Sequence, residues 1–306
     1  MAGSTLDGDT ARDRLRSEFG RAKRTLSYVL KDNAAKVGFV TLVGFVFLGL
    51  FGPYIAPYHP IEDTLRQGGS MMRLQDPGGK ALLGTTSFGK DVLSQFLAGA
   101  RPTLIVGLFG GVGTGVLGFL VGLTSGYFGG RVDELLMRLT DLTFALPFLP
   151  MALVILSFVT PSVWLITAVL VVFLWKMPAR VIRSEVMTVK ERTFVKSARA
   201  RGAGHMRTMF LHVAPNVLGI GFLYTAYAVG WSIVAGASLA FLGFGDPTTT
   251  SWGRMLQQVF RSGAIRVAWW WVLPPAIGIG AVTTSVFLVG RAFEEIVNPD
   301  LQTEQE

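Results

Sequence analysis

Apolar and polar positions fall in long blocks along this chain. Val37–Ala56 is an apolar run of about 20 residues, the length that crosses hydrocarbon as a helix, and Pro57 and Pro60 end it. A polar segment follows to residue 102, with a weakly amphipathic helix over Asp91–Ala100 leading into a second run, Thr103–Ser125. A tight turn at Gly126 opens a third run to about Val159, bent by Pro147 and Pro150. After a short turn at Thr160–Val163, a fourth run extends from Trp164 to about Trp175 and, kinked at Pro178, into Ile182. The fifth covers Val217–Ala237 and the sixth Ala268–Val289, with Pro274 and Pro275 bending the last. The pattern predicts an all-α integral membrane fold with six transmembrane helices.

The polar and small residues inside these runs carry further expectations. In the second run Gly107, Gly111, Gly115, Gly118, Gly122 and Gly126 fall three or four apart, within an arc of about 100°. Such a stripe predicts a helix-packing face, because small residues let backbones approach closely in lipid. Near the start of the third run, Arg138 and Asp141 stand at pairing distance along a helix. Trp269, Trp270 and Trp271 predict an aromatic belt at the membrane interface. Gly219, Gly221, Tyr224, Thr225, Tyr227, Gly230 and Ser232 make one side of the fifth run either wet or packed.

Composition agrees with a membrane protein. Only 16% of the 306 residues are charged and 50% are hydrophobic, with mean hydropathy +0.47, against about 25% charged in soluble proteins. There is no cysteine, which excludes disulfides and thiolate metal sites, and His59, His205 and His212 lack metal-ligand spacing. The net charge of +8 reports orientation before it reports a nucleic-acid partner. If both termini and the loop after the fourth run share one side, about 20 of the 28 Lys and Arg lie there, which places that side in the cytoplasm. Residues 1–36 are basic; Arg12–Lys31 reads either as a helix on the membrane surface or as a solvated tail, and not as a signal peptide.

Two segments invite a chemical reading. Gly84–Lys90 has the phosphate-loop spacing GxxxxGK, but Asp91 follows where a Ser or Thr should hold magnesium, and no strand precedes it. The other is Phe194–Asn216, which carries Lys196, Arg199, Arg201 and Arg207 and no acid. Gly202 and Gly204 break a helix that Met206–Val213 resumes, and Pro215 suits the first turn of the next helix. Ser197, Ala198, Ala203 and the two glycines would allow close approach by another protein, with Met206, Met209 and Phe210 as apolar anchors.

This loop resembles the cytoplasmic Glu-Ala-Ala loop of ABC-importer permeases. Lys196-Ser197-Ala198 takes the place of Glu-Ala-Ala, Gly202 that of the glycine, and His212 and Pro215 the end; Lys196 stands where the family usually has Glu. LGTTSFGKDVLSQFLAGAR (83–101) and ASLAFLGFGDPTTTSWGRML (237–256) are similar to two signatures of the dipeptide/oligopeptide/nickel permeases within that group. KDNAAKVGFVTLVGFVFLGLFGPYIAPYHP (31–60) is similar to their extended N-terminal region, and FEEIVNPDLQ to their ending, with Arg291 where Asp is common. The resemblance implies the type I ABC-importer permease fold, in which the loop docks into a separate ATPase. It implies a second permease as heterodimer partner, two ATP-binding subunits that hold ATP and magnesium, and an extracytoplasmic substrate-binding protein. Within this chain no cofactor, metal or catalytic residue is expected.

The expected division is a basic cytoplasmic segment (1–36), a first span with its extracytoplasmic loop (37–102), a five-helix core (103–291) with coupling loop 190–216, and a cytoplasmic tail (292–306). Four runs have no acid or base in their interiors, whereas ion-coupled carriers keep ionisable groups at membrane depth. A pore subunit driven by another chain is therefore favoured over an ion-coupled transporter or channel acting alone.

Overall fold

The computed structural model describes residues 32–297, with side-chain environments through residue 292. Residues 1–31 of the basic N-terminal segment, with the helix-or-tail reading of Arg12–Lys31, and the tail beyond residue 297 lie outside the described residues; residues 33–36 belong to the first helix.

Asp32 caps the first helix, α1 (Asn33–Ile55), by accepting from the N–H groups of Ala34 and Ala35. A loop to residue 91 follows, containing a small hairpin of β1 (Arg66–Gln67) and β2 (Ser70–Met71). Next comes α2 (Val92–Phe128), the 37-residue axis of the molecule. The amphipathic helix expected at 91–100 and the second run are one continuous helix, because Asp91 caps its start and Pro102 falls within it without breaking it.

The third and fourth runs are each broken. α3 (Gly130–Ala145) and α4 (Phe148–Ser157) meet at 82° across Leu146 and Pro147. α5 (Val163–Leu174) and α6 (Lys176–Lys190) meet at 42°. The second break is at Trp175, not at Pro178. The proline sits in the first turn of α6, where its missing N–H costs no helical hydrogen bond. The loop helices α7 (Thr193–Ala200) and α8 (His205–Thr208) lead through a π-helical turn, Met209–Val213, into α9 (Ala214–Leu239). A second π turn, Ala240–Phe244, precedes α10 (Trp252–Arg261), and α11 (Trp269–Val297) closes the described chain. Four continuous helices are long and apolar enough to span a membrane, and six spans result when each bent pair counts as one.

α2 holds the rest through its glycines. A Cβ at Gly107, Gly111 or Gly115 would stand 2.2, 2.3 and 2.0 Å from Ile233, Val229 and Thr225 of α9. One at Gly118, Gly122 or Gly126 would stand 2.7, 2.5 and 2.7 Å from Pro178, the Ala179 carbonyl and the Arg183 carbonyl of α6. The upper half of the stripe thus seats α9 and the lower half seats α6.

Two expectations fail at the polar and aromatic positions. Arg138 pairs with Glu134 at 3.7 Å and not with Asp141, which instead binds Arg180 of α6 at 2.5 Å. Of the three tryptophans only Trp269 is exposed; Trp271 is fully buried, and buried Trp270 donates its Nε1–H to the Thr85 carbonyl at 3.2 Å. The helix that begins at residue 269 turns consecutive side chains by about 100°, so three adjacent residues cannot share one face.

The stripe makes a quantitative prediction. Gly111→Ala should destabilise the detergent-solubilised chain by about 1–3 kcal/mol through overpacking against the α9 backbone. Gly44→Ala, where no atom lies within 4 Å, should leave the thermal midpoint unchanged or raise it.

Candidate functional site

The loop between α6 and α9 is built by local backbone chemistry. At the end of α7 the Gly202 N–H bonds the Arg199 carbonyl (2.9 Å) and the Ala203 N–H bonds the Ala198 carbonyl (3.2 Å). This paired closure needs a left-handed residue at Gly202, whose φ is +85°. Gly204, with φ −64°, starts α8 and accepts from the Thr208 N–H at 2.9 Å and the Thr208 hydroxyl at 3.0 Å. Pro215 has no N–H to offer the Leu211 carbonyl, and its ring would crowd that oxygen. The preceding turn widens accordingly, and the Ala214 N–H reaches back to the Met209 carbonyl.

One face of the loop is locked to the body. Val195, Met209 and Val213 are buried in a cluster with Leu123 and Tyr127 of α2 and Ile182, Val186 and Val189 of α6, and Ala198 is buried as well. Ala198 and Met209, expected at the outer surface, therefore face inward. The outward apolar ridge is Met206 (60% exposed), Phe210 (51%) and Leu211 (61%). Leu211 was not anticipated; its position two residues from buried Met209 on a π turn cannot be assigned to a face by α-helical periodicity. Ser197 and Ala203 are half-buried, Gly202, Gly204 and Pro215 are exposed, and His212 is intermediate. Lys196 binds Glu191 of its own chain at 3.0 Å. The hydrogen bond from Lys196 is the largest influence holding the Glu191 carboxyl below its usual range. Arg199 donates to His205 Nδ1 (3.0 Å) and lies 5.6 Å from the centre of the Tyr127 ring, tying the loop to the end of α2.

Next to the loop, α6 is clamped by charge. Arg183 binds Asp133 of α3 through Nε and Nη2, both at 2.5 Å, and Asp133 also accepts from the Ser125 hydroxyl. Lys190 donates to the Gly126 carbonyl at 2.7 Å. Higher up, Lys176 donates to the Thr143 carbonyl at 2.8 Å, and Arg180 stacks 4.0 Å from the Phe144 ring centre.

At the opposite end, the 237–256 segment forms a second constellation. Trp252 is fully buried, stacked on Phe96 at 5.4 Å, with its Nε1–H donating to the Phe96 carbonyl at 2.9 Å. A Cβ at Gly253 would stand 2.4 Å from the Ala237 carbonyl. Asp246 accepts from the Thr248 N–H (2.8 Å), the Thr248 hydroxyl (2.6 Å) and the Val163 N–H (3.1 Å), while Arg254 donates to the Asp246, Pro247 and Thr249 carbonyls. Burial raises the Asp246 pKa, but the Thr248 and Val163 hydrogen bonds and the Arg254 charge together outweigh it and leave it lowered.

The phosphate-loop spacing at 84–90 does not form a phosphate cradle. Thr85 Oγ1 accepts from the Gln75 N–H, Thr86 Oγ1 accepts from the N–H groups of Phe88 and Lys90, and Lys90 Nζ donates to the Glu62 carbonyl and Thr64. Among the described residues no group of three His, Asp or Glu side chains is placed to hold a metal.

A bundle of spanning helices joined by a locked, outward-facing loop defines a membrane transport component. The chain belongs to the family described as binding-protein-dependent transport system inner membrane component, whose model matches residues 118–303. Residues 21–77 match the N-terminal TM domain of oligopeptide transport permease C. The di/tripeptide transport system permease protein DppC of Pseudomonas aeruginosa is 35% identical over 279 residues, 89% of each chain. The dipeptide transport system permease protein DppC of Haemophilus influenzae is 30% identical, covering 90% of this chain and 93% of its own. The corresponding protein of Alkalihalophilus pseudofirmus is 29% identical, covering 89% and 88%. The chain is thus a multi-pass inner-membrane permease subunit of an ABC importer.

The charged clamps predict unequal effects. Asp133→Ala leaves the largely buried Arg183 unpaired and should cost about 2 kcal/mol, between the values for exposed and fully buried pairs. Arg180→Ala breaks a half-exposed pair and should cost about 0.5 kcal/mol or less; thermal unfolding in detergent separates the two. Asp246 carries a lowered pKa, so its contribution is fully present above the ordinary carboxylate range and is lost only as pH falls through the lowered value. Amide protection at Thr248 and Val163 should therefore be equal at about pH 8 and about pH 5, and reduced at both in Asp246→Asn.

Proposed function

We propose that this subunit forms half of the translocation pathway of an importer for peptides or related small solutes. Loop 194–216 is the surface by which a separate ATP-hydrolysing subunit drives it. The observation that carries this is the two-faced loop: Met206, Phe210 and Leu211 are exposed, while Val195, Met209 and Val213 fasten the other face to α2 and α6. Exposed apolar side chains on a rigid base suit burial in a partner cleft. A push on such a base reaches the bundle instead of bending the loop.

The similar proteins named for dipeptide and tripeptide transport support the cargo class. The family description supports an external binding protein. In this reading a second permease completes the pathway as a heterodimer, and two ATPase subunits bind ATP and magnesium. This chain performs no catalysis and holds no cofactor. Both termini face the cytoplasm, as the bias of basic residues argues. The division is then cytoplasmic segment 1–36, first span and extracytoplasmic loop 37–102, core 103–291 with coupling loop 190–216, and tail 292–306. Lys196, where the related loops carry Glu, is balanced by Glu191, so the partner's contact there does not depend on an acid at position 196.

Gly204 offers a clean test. Its φ is −64° and a Cβ there would meet no atom within 4 Å, so Gly204→Trp leaves this chain's own packing intact. Gly202→Trp would instead strain the backbone at φ +85°. Gentle detergent purification of the tagged wild type should bring two ATPases and a second permease. Gly204→Trp should insert normally, lose the ATPases and abolish uptake; an unchanged complex with full uptake would sink the docking assignment.

A further inference from the structure

Midway along the bundle lies a cavity of about 370 Å³, walled by Thr114 of α2, Met177 and Pro178 at the start of α6, and Tyr224, Tyr227 and Trp231 of α9. We propose that it is a passage subsite for the transported solute, shaped for an uncharged amide segment with an apolar side chain; this rests on the transport reading above.

Three observations converge on it. The first is the Thr114 hydroxyl, which is buried to 1% exposure and has no hydrogen-bond partner. Elsewhere in the helices Thr103, Thr124, Thr140, Thr143 and Thr225 satisfy their hydroxyls on the carbonyl four residues back, at 2.7–2.9 Å. Thr114 does not, nor does Thr283 of α11, but of the two only Thr114 borders this cavity. A buried hydroxyl without a partner is costly, and Thr114, which borders the cavity, gains a partner if its hydroxyl turns toward a polar guest or water there.

The second is the chemistry of the walls. Two phenol rings, an indole and a thioether line the cavity with Thr114, and no charged side chain lines it. Aromatic faces and a flexible thioether accept varied apolar side chains without selecting one shape. A single hydroxyl can meet a peptide N–H or C=O whatever the side chain is. The absence of charge in the lining gives neither terminus of a peptide an ion pair to remain in, which suits passage over storage.

The third is position. Tyr224, Tyr227 and Trp231 share one face of α9, and Trp231 is 63% exposed there. Phe222, 66% exposed, points to the opposite side of the same helix. Met177 and Pro178 lie just past the 42° break at Trp175, on the helix whose far end runs into the docking loop. A displacement of that loop along α6 moves one wall of the cavity against the others.

The chain has no cysteine, so labelling read on this chain alone reports a single introduced cysteine cleanly. Trp231→Cys, Tyr224→Cys and Phe222→Cys would be made in the full complex, reconstituted in liposomes, and treated with a charged, membrane-impermeant thiol reagent from either side. A charged reagent is excluded from hydrocarbon, so the cavity cysteines should react at least about tenfold faster than Phe222→Cys in one nucleotide state. With trialanine as the probe, Thr114→Val should raise the KM for uptake about fivefold, the loss of one hydrogen bond, and Thr114→Ser should restore it. Equal, slow labelling at residues 222, 224 and 231 would overturn the subsite, as would an unchanged KM in Thr114→Val. Failure of the transport reading itself shows differently, as a complex with this chain unsubstituted that moves no trialanine, and the labelling ratio on this chain still decides the cavity in that case.

Discussion

Contact between backbones along α2 is the constraint on which the other helices depend. In lipid an apolar side chain gains nothing by leaving hydrocarbon for a protein neighbour, so association rests on close van der Waals packing. Six glycines supply it. At Gly111 the missing Cβ admits the Val229 backbone of α9, and at Gly122 it admits the Ala179 carbonyl of α6. The two partners seat on successive stretches of one face, and α2 becomes the fixed part against which both are registered. Its two ends carry the polar constellations: Trp252 stacks over Phe96 at one end, and Tyr127 meets His205 and Arg199 at the other.

Fixing α6 to α2 has a consequence for the loop. The segment from Lys176 to Lys190 touches α2 through Pro178, Ala179 and Arg183, and it touches α3 through Arg180 and Arg183. The loop's buried residues pack on the same helix at Ile182, Val186 and Val189. In the proposed mechanism, force entering at Met206 and Phe210 passes into a rigid strut whose upper end is the break at Trp175. The 42° bend there divides α5 from the part of α6 that a loop displacement would carry. The midway cavity lies at that division.

Much of this was legible in the residues, and what was not has identifiable causes. Spans, the glycine stripe and the Gly202–Pro215 turn depend on local rules: hydrophobic length, small-residue spacing, left-handed backbone and the missing proline N–H. The third run breaks at Leu146–Pro147, where Pro147 predicts a bend, whereas the bend expected at Pro178 lies at Trp175, because Pro178 sits in a first turn that tolerates it. Asp141 was matched to Arg138 within its helix, but Arg180 of a neighbouring helix competes for it, and tertiary contact decides. Met209 and Leu211 were misjudged because a five-residue π turn rotates faces away from the α-helical period. Trp270 and Trp271 read as interfacial, yet both are buried, and the loop before α2 folds over Trp270.

The disposition of charge bears on the source of energy. Lys176, Arg180 and Arg183 stand on one side of α6 and are spent on the Thr143 carbonyl, Asp141 and Asp133. These contacts brace a helix folded by 82°, whose freed carbonyls at the end of α3 need a donor. A carrier working by proton uptake at Asp133 would have to neutralise the one partner of a largely buried arginine, at a cost comparable to breaking the pair outright. A carboxylate that must stay ionised to hold the strut is poorly suited to cycle its proton. A drive delivered mechanically through the loop leaves those ion pairs intact during turnover, and that compatibility is the physical reason to place the engine outside this chain.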